Sequence, residues 1–232
     1  MSQIDSLPAS ARAYEAQIRK AALPCLRGEA MERECQSHLG GEVVLPAGVA
    51  WPLCEDGRPL AHLASIDLSE LPRIEANTLP ADGTLLFFYD TEEQPWGMEG
   101  EPEDWRVLYR LADDAGTLVE GASEPETRIN LAFGTAISYS DELELPLSQE
   151  AYEDYFDWLH VGDHPLQMLG HELPIQSPLS QLFENPKLLL QVPSDGAFGY
   201  EWGDGGNLYF VMSPQDMAAG RFENVRFTFQ CH

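Results

Sequence analysis

Short apolar runs cut off by glycine or proline recur along this chain, and they point to short strands separated by irregular loops. Residues 84–89, Thr-Leu-Leu-Phe-Phe-Tyr, are apolar without alternation, as a strand covered on both faces must be. Residues 60–67, 187–192 and 208–212 also read as strands, 106–111 alternates, 129–139 is strand-rich, and 225–230 forms a last strand. In 40–52, glycines and prolines bracket Val43-Val44-Leu45 and Val49-Ala50-Trp51 so closely that a long helix is excluded.

Helical spacing is confined to a few places. Ala11, Tyr14, Ile18 and Ala22 fall at 3- and 4-residue steps behind Ser10, a candidate cap, and Leu23-Pro24 ends that helix. Residues 148–159 form the best second helix: Ser148 caps it, Glu150 suits its positive end, and Tyr152, Tyr155, Phe156 and Leu159 make one apolar stripe. Ser213-Pro214 opens a short third. Without a βαβ rhythm, these elements predict an α+β fold with a mostly antiparallel sheet. Leu63-Ala-Ser-Ile-Asp67 followed by Gly83-Thr-Leu-Leu-Phe-Phe88 parallels Leu190-Gln-Val-Pro-Ser-Asp195 followed by Gly206-Asn-Leu-Tyr-Phe210. That parallel predicts two weakly repeated strand-loop-strand units, at about 60–90 and 188–212, around a pseudo-twofold core. Residues 1–34 are expected as an N-terminal helix and connector, and 35–232 as a single domain.

Charge bounds the partners. The chain has 39 Asp and Glu against 13 Lys and Arg, a formal net charge of -26, so nucleic acid is an unsuitable ligand. Between Arg128 and Arg221 the only Lys or Arg is Lys187, and 90–104 carries seven acids and no base around Trp96, which predicts a solvated loop with one aromatic anchor. Glu150, Glu153, Asp154 and Asp157 are expected outside the apolar stripe of their helix as a negative patch, serving either solubility or the docking of a basic protein. No run approaches the ~18 apolar residues of a membrane span, and the first residues lack a secretory pattern. Cys25, Cys35, Cys54 and Cys231 form no CxxC pair, so free thiols and a cytoplasmic location are expected.

No catalytic motif of the HExxH, GxSxG or P-loop type is present. His160, His164 and His171 lie near Asp163 and Glu172, but Gly162 and Pro165 break the helix that would align residues four apart, so neither metal nor cofactor is expected. Cys231 and His232 are adjacent on a strand and point to opposite faces, which disfavours a thiol–imidazole pair. The glycine-rich turn at 202–206 is the most unusual local feature. A tight hairpin turn accounts for its residue types, while the functional alternative is a groove for a cationic or amide-bearing ligand lined by Trp51, Gln191, Asp195, Trp202 and Asp204.

Gly40-Gly41, Leu45-Pro46, Trp51-Pro52, Pro59-Leu60, Ile66-Asp67-Leu68, Leu71-Pro72, Leu79-Pro80 and Phe87-Phe88 occur in an order that resembles the YwqG-like family of bacterial proteins. The resemblance resumes at 171–176, Leu188-Leu189-Leu190-Gln191, Ser194-Asp195, Trp202-Gly203-Asp204, Tyr209-Phe210, Asp216-Met217, Phe222 and Gln230-Cys231. Ser65 stands where that family usually has Gln, and His171-Glu172-Leu173-Pro174 replaces its Gly-aromatic-Pro turn. The resemblance implies an α+β fold and a cytosolic bacterial setting, brings no reaction, and is compatible with an immunity-type antidote to a toxin. The chain is therefore expected to be a non-enzymatic interaction protein with an acidic docking face. The alternatives are a small-ligand module with a groove between the repeats and a hydrolase of unknown substrate.

Overall fold

The computed structural model describes residues 3–75, 77–97, 104–162 and 164–232. Among them the strands are β1 (Leu23–Met31), β2 (His38–Leu39), β3 (Val43–Leu45), β4 (Ala61–Asp67), β5 (Thr84–Tyr89), β6 (Trp105–Arg110), β7 (Thr117–Val119), β8 (Ile129–Ser138), β9 (Gln167–Met168), β10 (Lys187–Pro193), β11 (Asn207–Met212) and β12 (Arg226–Gln230). The α-helices are α1 (Glu15–Ala21), α2 (Gln149–Leu159), α3 (Leu179–Leu182) and α4 (Pro214–Ala219). None is long and apolar enough to cross a membrane.

Ten strands form one antiparallel sheet in the order β12-β11-β10-β9-β1-β8-β2-β4-β5-β6, and β3 pairs with β7 apart from it. This overturns the expected α+β arrangement of two repeated units about a pseudo-twofold core. The sheet is continuous and nearly closed on itself, and only 18% of the chain is helical. The strands that make it continuous are faint in the sequence. Residues 23–31, expected as connector, are β1 at the centre of the sheet, interrupted by Pro24 and Gly28, while β2 and β9 are two residues each.

The two outer strands approach each other through aromatic contacts. Phe227 of β12 stacks on Trp105 of β6 at 5.2 Å and packs on Tyr89 at 4.9 Å, while the Phe229 amide donates to the Trp96 carbonyl at 2.9 Å. Trp96 also stacks on Phe229 at 4.7 Å, which anchors the acidic loop, although residues 98–103 of that loop lie outside the described residues. Register shifts between His62 and Ala64 and between Leu188 and Leu190 supply curvature.

Both faces of the strongest strands are covered, which explains their unbroken apolar runs. Leu85, Phe87 and Tyr89 of β5 face Leu208 and Phe210 of β11 in the main core. Leu86 and Phe88 point the other way, under Val43, Leu45 and Trp51, and Tyr209 and Val211 pack under Leu179. The N-terminal helix begins as a 3-10 turn at Arg12–Tyr14 before α1. Ser10 does not cap it; its hydroxyl donates to Asp154 Oδ2 at 2.6 Å and ties the N-terminal segment to α2.

Candidate functional site

Helix α2 starts where the sequence requires: the Ser148 hydroxyl accepts from the Ala151 amide at 3.3 Å. Its buried stripe, however, is Ala151, Tyr155, Trp158 and Leu159, rotated from the expected one. Trp158 is the reason. Its Nε1 donates to Gln3 O at 3.3 Å and Ser6 Oγ at 3.2 Å, and its ring packs on Tyr139 at 5.1 Å, so the indole takes the place beneath the N-terminal segment.

The rotation leaves Tyr152 46% and Phe156 38% exposed, side by side with ring centroids 6.5 Å apart. Glu150, Glu153, Asp154 and Asp157 are exposed on the same helix. Glu153 accepts from Gln149 at 2.9 Å and Asp154 from Ser10, and among the described residues none of the four carboxylates has an ion pair. The face therefore combines large apolar contact area with uncompensated negative charge.

Phe156 leads from this face into a cleft of about 380 Å3 lined also by His160, His164, Ser194, Gly205, Asn207 and His232. The Phe156 and His160 rings stack at 4.2 Å. A polarised hydrogen-bond relay runs along one wall. The Asn207 amide donates to Tyr209 Oη at 2.9 Å and to His164 Nδ1, and Tyr209 Oη donates to Leu173 O at 2.7 Å. His164 Nε2 lies 3.4 Å from His160 Nδ1. His160 Nε2 is buried and has no hydrogen-bond partner among the described residues. Burial and the nearby His232 hold His160 below its ordinary pKa, so it is neutral at pH 7.

The five residues expected to line one groove are not gathered into it. Trp202 is 1% exposed, stacked on Tyr200 at 4.9 Å, and Gln191 is fully buried, with Oε1 accepting from Leu173 N at 3.0 Å and Nε2 donating to Pro165 O at 3.1 Å. Trp51 sits in a different cluster, its Nε1 donating to Leu60 O at 2.8 Å and its ring against Phe88 at 5.4 Å. Asp195 caps its own turn by accepting from Ala197 N at 2.7 Å, and Asp204 is exposed with its carbonyl accepting from His232 N at 3.1 Å. Ser194 and Gly205, the neighbours of Asp195 and Asp204, line the cleft instead, with Asn207.

His171 is separate from the other two histidines and bonds Ala21 O at 2.8 Å, beside the end of α1. Asp163 lies outside the described residues, and among those described no three His, Cys, Asp or Glu side chains are placed to hold a metal. Cys231 faces the core while His232 faces the cleft, and all four cysteines are unpaired. The cleft was not legible in the sequence because Asn207 on β11 and His232 lie far along the chain from Phe156, His160 and His164 at the end of α2. The closeness of His160 and His164 in the sequence was the local hint, and the pairing of β10 with β11 brings Asn207 to them.

The model of a family described as a domain of unknown function, DUF1963, matches residues 37–231. No curated protein matches the chain.

Proposed function

The chain belongs to the DUF1963 family, and on that premise, which brings no reaction with it, we propose a non-enzymatic interaction protein that docks a basic protein segment on the exposed face of α2. The observation that carries this reading is the exposure of Tyr152 and Phe156 among four unpaired carboxylates on one short helix. Solubility alone needs the charges and gains nothing from exposed aromatics. A Lys or Arg side chain meets both features, through Coulomb attraction and through contact with a ring face. The motif order supports a YwqG-like member, and four unpaired thiols support a cytosolic setting. If the basic segment belongs to a toxin, the protein is an immunity-type antidote.

A lysine- and arginine-rich peptide is the probe. The Tyr152→Ala, Phe156→Ala double variant, measured by calorimetry beside the wild type, should bind it about tenfold or more weakly, the loss expected for two aromatic anchors. Equal affinity of the two proteins would refute the face as the docking site.

A further inference from the structure

A second cleft, of about 130 Å3, lies between strands β2, β4 and β5 and the β3–β7 pair, and shares no lining residue with the histidine cleft. Arg110 and Arg128 both line it. In a chain with 39 acids and 13 Lys and Arg, a guanidinium whose direct hydrogen bonds go to neutral acceptors stands out. Arg110 Nη1 donates to Asp114 O at 3.0 Å and Nη2 to Thr84 Oγ1 at 2.9 Å, while its Nε is buried without a partner among the described residues. Arg128 Nε donates to Asn130 Oδ1 at 3.1 Å and Nη2 to Cys35 O at 2.5 Å. Arg19, Arg58 and Arg221, by contrast, each form an ion pair with a carboxylate. Burial lowers the pKa of Arg128 although Glu34, Glu70 and Glu42 act on it favourably from nearby, the mark of a charge whose lost hydration is not fully replaced.

Two hydroxyls face the same space. Thr84 Oγ1 already accepts from Arg110, so its own proton is available to a ligand. Ser65 Oγ lies 3.0 Å from His62 Nε2, a contact that depends on the irregular register between His62 and Ala64, because strand residues three apart otherwise face opposite sides. Burial holds His38 at a pKa of about 4 and His62 at about 3, so both imidazoles are neutral at pH 7. The positive charge of the cleft is therefore that of the two arginines. Opposing it, the carboxylates of Glu42 and Asp67 line the same cleft.

A simple anion entering this space meets the two carboxylates, and a simple cation meets the two guanidiniums. A small molecule with both charges is complementary to both pairs. We propose that this cleft binds a small zwitterion of the α-amino-acid class, its carboxylate on Arg110 and Arg128 and its ammonium toward Glu42 and Asp67.

The test is calorimetric titration of the full chain with glycine, alanine, serine and aspartate, beside acetate and methylammonium as the separated charges. At least one amino acid should bind about tenfold or more tightly than either fragment. Arg128→Gln should abolish binding. Because Arg128 also braces Cys35 and Asn130, the exposed Glu42 provides the variant that spares the fold, and Glu42→Gln should reduce amino-acid affinity to that of acetate. Absence of binding by all four amino acids, acetate binding as tight as theirs, or equal affinity in Glu42→Gln and wild type would each overturn the proposal. None of these outcomes bears on the α2 face.

Discussion

Asp141 shows what burial does to one carboxylate in an acidic chain. Burial first, then repulsion from Glu172 and Glu142, raises its pKa to about 6. A carboxyl raised in the folded state favours folding while protonated, so its stabilising effect is complete below its ordinary pKa near 3.8 and is lost as pH rises through about 6. Asp141→Asn should therefore stabilise the protein at pH 7 by roughly 1–2 kcal/mol after solvent screening, seen as a higher melting temperature, and leave it unchanged at about pH 3. Thermal melts at the two pH values check this. Single residues were the least legible scale in the sequence. Trp202, Gln191 and Asp204 stood out by type, yet the first two are buried and the third serves a turn, because residue type does not reveal which side of a loop faces the cleft.

At the scale of elements, α2 was legible in its limits but not in its orientation. Ser148 and the 3.6-residue period fixed where it runs. Two overlapping stripes satisfied that period, Tyr152/Tyr155/Phe156/Leu159 and Ala151/Tyr155/Trp158/Leu159, and the choice was made by Gln3 and Ser6, some 150 residues away in the chain. This assignment separates stability from binding. Trp158→Ala should destabilise the protein by about 3–5 kcal/mol, whereas Phe156→Ala should cost about 1 kcal/mol or less and act on peptide binding. Urea denaturation of both variants decides between the stripes, and a larger loss for Phe156→Ala would reverse the assignment. β2 and β9 were illegible for a different reason: two residues carry no period, and their pairing is dictated by the strands on either side.

For the whole molecule, antiparallel pairing was legible from the short apolar runs, but the joining of the runs into one nearly closed sheet was not. Closure rests on contacts such as Phe227 with Trp105 and Tyr89, between residues with no local relation. Most carboxylates of the described residues remain exposed, in a chain whose formal net charge is -26, and there they act on encounter with other molecules. On the proposed docking role, the charge on α2 selects a partner rather than only keeping the protein dispersed. The most direct measurement is the association rate of the basic peptide with wild type and with the Glu150→Gln, Glu153→Gln, Asp154→Asn, Asp157→Asn variant, by stopped flow across a range of ionic strength. A docking face predicts a slower rate at low salt and a flatter salt dependence for the variant, with stability changed by about 1 kcal/mol or less. Equal rates for the two proteins at low salt would contradict it.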